Sequence, residues 1–192
     1  MPLPDCMLKD RGEVSRAFIA KGITSFIDAC VYVKNLPYGR NENKDNALAV
    51  FNDNCGTCST KHAALKRLAD ENSLEGLQLV TAIYKMNRAN TPGIGDVLER
   101  NNLEYMPEAH NYLKVGNESF DFTFPYARAL GFEGEVLEET VIMPHQVTAY
   151  KVELHKSFLS RWLLANKNIN LSLSALWQIR EQCIANLSEN KK

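Results

Sequence analysis

The sequence predicts an α+β fold. Three observations carry that expectation. Apolar residues recur at helical spacing near the start and the end of the chain, while runs rich in β-branched and apolar residues cluster in the middle. The resulting order is helices, a cysteine-bearing helix, strands, then helices, without a regular strand–helix alternation. The 192 residues suit one domain of ordinary size. Its core is expected over about 24–143, with a helical addition over about 144–188.

Residues 1–10 read as an irregular arm. Glu13 to Ala20 predicts a short helix with Val14, Phe18 and Ile19 inward, stopped by Gly22. Ser25-Phe26-Ile27-Asp28 resembles a capping box with Asp in place of Glu. The helix it opens carries Phe26, Ala29, Cys30 and Val33 on one stripe and ends before Pro37. A polar loop runs from Leu36 through Asn46, with Arg40 read as a solvated arginine. Leu48 to Phe51 is a strand-like or turn segment. A helix from about Ser59 to Glu71 puts Cys58, His62, Leu65 and Leu68 or Ala69 on one face.

Leu77 to Tyr84 reads as a strand, central in its sheet. Asn90 to Gly93 is a turn and Asp96 to Arg100 a short helix. His110–Val115 and Ser119–Phe124 are strand patterns joined by Gly116-Asn117-Glu118, a hairpin signal. Val136 to Met143 is another strand, ended by Pro144. Val147 to Leu164 is an amphipathic helix with Tyr150, Leu154, Phe158 and Trp162 inward. Leu173 to Leu187 is a second, with Leu173, Leu176, Trp177, Arg180, Cys183, Ile184 and Leu187 on one face. Arg180 within that stripe calls for a carboxylate partner. His145 and His155 read as structural or exposed, and residues 188–192 as a polar tail.

Composition narrows the function classes. Hydrophobic residues make up 45% and charged residues 23%, the balance of a globular soluble chain. A net charge of −1 gives no field that draws the protein to nucleic acid or an anionic membrane. Met1-Pro2-Leu3-Pro4-Asp5 lacks the basic start and apolar run of a signal peptide, and no stretch approaches the roughly 20 apolar residues of a spanning helix. Cysteines at 6, 30, 55, 58 and 183 are odd in number and lack a disulfide-framework spacing. A reducing, cytoplasmic setting is the expectation.

The chemistry centres on Asn54-Cys55-Gly56-Thr57-Cys58-Ser59-Thr60-Lys61-His62. Gly56 and the small polar residues after it suit a tight turn into a helix start. A cysteine there meets backbone N–H groups and the positive end of the helix dipole, and both favour the nucleophilic thiolate. His62 shares the inward face one turn on, the place of a hydrogen-bonded core group. In the hairpin, His110 falls opposite residue 121, 122 or 123 according to loop type, so His110 and Asp121 can meet across the strands. Cys58, His110 and Asp121 together make a nucleophile, a base and an orienting acid, and the helix start adds an N–H for an oxyanion. Cys55, Thr57, His62, Glu108, Tyr112 and Thr123 are the candidates to support them. No metal and no cofactor is expected.

Gly56-Thr57-Cys58-Ser59 opening a helix, then His110 on one strand and Asp121-Phe122-Thr123 after it, resembles the transglutaminase-like superfamily. Val33 to Arg40 is similar to the end of the helix that precedes the cysteine in many bacterial members. The likeness covers about residues 24–125. It implies a papain-like core, with the cysteine helix packed on an antiparallel sheet that carries His and Asp and with helices flanking it. It implies acyl transfer through a thioester, ending in amide hydrolysis or transamidation of a peptide or small amide. Cys58 would be nucleophile, His110 base and Asp121 orienter. The chain differs from many members in having no tryptophan directly after Cys58 or His110, and in the long step of 52 positions from one to the other.

Three other readings compete. Cys55-Gly56-Thr57-Cys58 before a helix resembles a thioredoxin motif, with Pro107 before the hairpin, which predicts thiol–disulfide chemistry that depends on both cysteines. Cys55, Cys58 and His62 have metal-ligand spacing, but a structural zinc wants a fourth ligand. A non-catalytic member of the fold would act as a binding module.

Overall fold

A computed structural model describes residues 2–125 and 132–189, so residues 190–192 of the polar tail lie outside the described residues. Among those residues the architecture is α+β, with seven α-helices and a four-stranded antiparallel sheet. The helices are α1 (Glu13–Ile19), α2 (Phe26–Asn35), α3 (Ala49–Asn52), α4 (Cys58–Glu71), α5 (Gly95–Arg100), α6 (Ala149–Ala165) and α7 (Leu173–Glu189). The strands are β1 (Leu77–Met86), β2 (Met106–Val115), β3 (Glu118–Phe120) and β4 (Val136–Ile142), ordered β3-β2-β1-β4. β1 is thus interior, in keeping with the continuous burial of residues 79–84. Among the described residues no helix is long and apolar enough to cross a membrane. Contacts divide the described chain into two units, one of residues 2–81, 110–125 and 140–149, the other of 82–109, 132–139 and 150–189.

The first unit packs α1, α2 and α4 around a core that includes Phe18, Phe26, Leu65, Leu68, Leu79 and Leu113, all fully buried. Leu65, Leu68 and Ala69 of α4 share that core with Leu77, Leu79, Leu113 and Val115 of the strands. The apolar stripe of α4 therefore fixes its face towards the sheet, with Cys58 and His62 on the same buried side. Ser25 caps α2 by accepting the Asp28 N–H at 3.1 Å, and Phe26, Ala29, Cys30 and Val33 are buried as their spacing requires.

Three expectations are corrected here. Leu48 to Phe51 is largely helical, because Asn46 turns the chain: its side chain accepts the Leu48 N–H at 2.9 Å and its carbonyl accepts the Ala49 N–H. Ile19 sits at the end of α1, 37% exposed, while Val14 and Phe18 go inward. The second hairpin strand is only Glu118–Phe120. β2 and β3 pair as Leu113 with Phe120, Lys114 with Ser119 and Val115 with Glu118 around a two-residue turn in which Gly116 takes φ +57°.

In the second unit, α5, α6 and α7 bury Ile94, Val97, Leu98, Leu159, Trp162, Leu176, Ile179 and Cys183 together with Met86 and Met106. The fully buried residues of α6 are His155, Leu159 and Trp162; the expected Phe158 packs partly buried against the same core, whereas Tyr150 is 40% exposed. The helix is turned one residue from the expected stripe, and this lets buried His155 donate through Nε2 to the Pro107 carbonyl at 2.8 Å. Arg180 meets the carboxylate its position calls for. Its guanidinium donates twice to Glu108, at 2.8 and 2.5 Å, and lies over the Trp177 ring.

Candidate functional site

The turn before α4 is held from several sides. Gly56 donates its N–H to the Pro37 carbonyl at 3.0 Å, and Gly39 donates to the Gly56 carbonyl at 3.2 Å. The segment after α2 therefore lies against the cysteine turn. A Cβ on Gly56 would stand 2.9 Å from Lys61 Cγ, 3.0 Å from Thr60 Oγ1 and 3.1 Å from Val50 Cγ1, so only glycine fits. Thr57, extended, leads into the helix and donates its N–H to Thr60 Oγ1. Thr60 in turn donates to Asn41 Oδ1 at 2.6 Å, and the Asn41 amide donates to the Cys55 carbonyl, the Ala49 carbonyl and Asp53. Buried Asn41 thus fixes both ends of the turn.

Cys58 is the first residue of α4 and is buried. Its thiol and backbone N–H stand at the positive end of a 14-residue helix. Its side chain hydrogen-bonds His110 on β2. His110 also donates from Nε2 to Asp121 Oδ2 at 2.9 Å, which leaves Nδ1 as the nitrogen for Cys58. The imidazole is therefore held between sulfur and carboxylate.

Asp121 does not reach His110 from a strand. It lies just beyond β3, where the backbone leaves the ladder for side-chain partners. Asp121 Oδ1 accepts the Thr123 N–H at 2.9 Å and the Thr123 hydroxyl at 2.5 Å, an Asx-type turn. The Phe122 N–H goes to His62 Nε2 at 2.8 Å. These bonds end the strand and turn the carboxylate towards His110.

The site's electrostatics separate its two histidines. Burial works against a charge on His110, but the Asp121 carboxylate, helped by Cys58, outweighs it and holds its pKa up at about 10. Burial likewise opposes the charge on Asp121, and the His110 imidazolium pulls its carboxyl well below the usual range. His62 goes the other way: complete burial, only partly opposed by Asp121, lowers it to about 4. It is neutral, with Nδ1–H donating to the Cys58 carbonyl at 2.7 Å and Nε2 accepting from Phe122. At neutral pH the arrangement is an imidazolium between Cys58 and a carboxylate, beside one neutral imidazole.

The remaining candidates separate clearly. Tyr112 is buried, its ring stacked near His110 at 6.4 Å between centroids. Thr123 orients Asp121 directly. Thr57 bonds through its backbone to Thr60. Cys55 is half-buried beside Gly39, where an added Cβ would come within 3.1 Å of its sulfur, and Cys55 and Cys58 are not joined in a disulfide. The Glu108 carboxylate is taken by Arg180. The ligand set Cys55, Cys58 and His62 does not assemble, since both His62 nitrogens are committed within the protein; no metal-holding group of His, Cys, Asp or Glu occurs among the described residues.

Several buried polar residues had no expected role. Ser59 donates to Asn111 Oδ1 at 3.0 Å, and the Asn111 amide donates to Thr81 Oγ1 and the Val80 carbonyl, tying the start of α4 to β2 and β1. Lys61 is fully buried and donates to the Leu36 carbonyl at 2.6 Å and the Thr123 carbonyl at 2.8 Å. An asparagine next to His110 inside a central strand is a legible signal of a polar hub. For Lys61 the sequence holds no such signal.

A scan against protein-family models, a search of curated proteins and a search of solved structures each find no match to this chain.

Proposed function

We propose that the protein is a cytoplasmic, cysteine-dependent acyltransferase or amide hydrolase with a transglutaminase-like, papain-like core. The observation that carries this reading is the placement of His110, bonded to Asp121 at 2.9 Å on one side and to Cys58 on the other. Three groups with those chemistries, on a helix start, a strand and the turn beyond its partner strand, are what a pre-ionised thiol nucleophile needs.

In this scheme the Cys58 thiolate attacks an amide carbonyl carbon. The oxygen becomes an oxyanion next to the Cys58 backbone N–H, at the start of α4. His110, already protonated, gives its proton to the departing amine as the C–N bond breaks, which leaves a thioester on Cys58. Neutral His110 then removes a proton from water or an incoming amine. That nucleophile displaces the thiolate and releases acid or new amide. Asp121 holds the imidazole in register and stabilises its charged form. The substrate class is a peptide or small amide.

The test is to trap the acyl-enzyme. Incubation with a panel of activated esters and peptide amides, read by intact and peptide mass spectrometry, should add an acyl group to Cys58 that a primary amine or hydroxylamine removes. Cys58→Ala should give no adduct. Acylation absent from Cys58 across the panel, with a Cys55–Cys58 disulfide forming and reducing reversibly in its place, would move the protein to thiol–disulfide chemistry.

A further inference from the structure

Lys61 and His62 follow Cys58 by three and four residues on α4, and both are completely buried. Each holds a backbone group of the segment that carries Asp121. His62 Nε2 accepts the Phe122 N–H at 2.8 Å, and Lys61 Nζ donates to the Thr123 carbonyl at 2.8 Å. Each is also anchored elsewhere. His62 Nδ1–H donates to the carbonyl of Cys58 itself at 2.7 Å, and Lys61 donates to Leu36 at 2.6 Å. One imidazole therefore joins the backbone of the cysteine to the residue that follows the aspartate.

These contacts replace the strand. Beyond Phe120 no further strand pairing occurs among the described residues, so the position of Asp121 depends on what binds Phe122 and Thr123. An ammonium enclosed in a protein core is costly unless its donors are met, and an apolar residue would pack there more cheaply. The cost is offset only if the carbonyls it holds must stay where they are. The charged and titratable groups around His62 are Asp121, His110 and Lys61, with Asp121 Oδ1 3.5 Å from Nε2. A neutral, accepting Nε2 leaves the carboxylate to His110 and Thr123.

We propose that His62 and Lys61 are positioning residues that set the Asp121 carboxylate against His110, so that the helix bearing the nucleophile also places the acid. This rests on the Cys58–His110–Asp121 reading.

The experiment is the pH profile of Cys58 alkylation by iodoacetamide in the full chain, followed by peptide mass spectrometry, for wild type, His62→Phe, Lys61→Met and His110→Ala. Folding of each is checked by circular dichroism. With folded His62→Phe and Lys61→Met, the acid limb should move up by about one pH unit, a roughly tenfold slower reaction at pH 6. At pH 9 the rates should match wild type. A residue that only adds stability would leave the limb in place, and an unmoved limb in both folded variants overturns the inference. If His110→Ala also leaves the limb unmoved, the failure belongs to the Cys58–His110–Asp121 reading. Should the variants not fold, nitrogen-15 NMR of wild type decides: His62 must be the Nδ1–H neutral tautomer at pH 7. An Nε2–H tautomer or an imidazolium contradicts the proposed role.

Discussion

Asp121 Oδ2 accepts the His110 Nε2–H at 2.9 Å from a position one residue past the end of β3. The pair is a cross-hairpin contact in sequence and a strand-to-turn contact in space. Continued at its own register, β3 would face His110 with residue 123. The chain instead breaks away, and its freed backbone groups are taken by Asp121, His62 and Lys61.

Asp121→Asn tests the electrostatic half of that relationship. Removing the carboxylate leaves His110 with its burial penalty and loses the main charge that offsets it. The His110 pKa should fall from about 10 by at least two units, read from the imidazole proton shift across pH. Asn keeps the shape of the side chain, so circular dichroism should be unchanged.

His62 gives the fold a defined acid sensitivity. The folded state holds it at about 4, against 6.5 ordinarily, so the unfolded chain binds that proton more readily. Its contribution is complete above pH 6.5 and is lost as pH falls towards 4. The full span is about 3 kcal/mol. Urea unfolding of wild type and His62→Phe between pH 7 and 4 checks this; the variant's stability should fall less steeply.

Glu108 and Arg180 should behave as a buried pair that tolerates joint replacement better than loss of one member. Glu108→Gln strands the guanidinium and should cost about 3 kcal/mol in urea unfolding. Glu108→Leu combined with Arg180→Met should recover most of that. Burial would raise the Glu108 carboxyl, but Arg180 overcomes this and holds it at about 2, against 4.5 ordinarily. The pair's pH-dependent contribution is therefore present above pH 4.5 and fades as pH falls towards 2.

Gly56→Ala should damage the turn. The new methyl would press on Lys61, Thr60 and Val50 at 2.9 to 3.1 Å. A loss of about 1–3 kcal/mol is expected, measured by thermal unfolding, together with slower Cys58 alkylation at pH 6.

Much of this was legible in the sequence. The stripe of Cys58, His62, Leu65 and Leu68 fixed α4 and its buried face, because 3.6-residue periodicity survives in any core. Ser25 with Asp28 marked the start of α2, because caps are local. The hairpin brings Asp121 near His110, but its register alone would face His110 with residue 123, and the break after Phe120 makes the contact. What failed needed partners distant in sequence. On α6 apolar spacing does not separate two rows that share Trp162, and the buried one is marked by His155, whose acceptor is Pro107. The short β3 is not legible either, since its end is set by His62 and Lys61, some 60 residues away. Buried polar groups such as Asn41, Lys61 and Asn111 escape patterns built on apolar spacing. Arg180 showed that it needed a carboxylate but not that Glu108 supplies it.

The central claim is that Cys58 is kept as a thiolate by His110. The most direct measurement is the alkylation rate of Cys58 from pH 4 to 10 in a Cys55→Ser background, with and without His110→Ala. Reaction at pH 6 should be rapid, survive loss of Cys55 and fall at least tenfold without His110. A rate that rises only near pH 8.5, as for an ordinary thiol, and ignores His110 would contradict that claim.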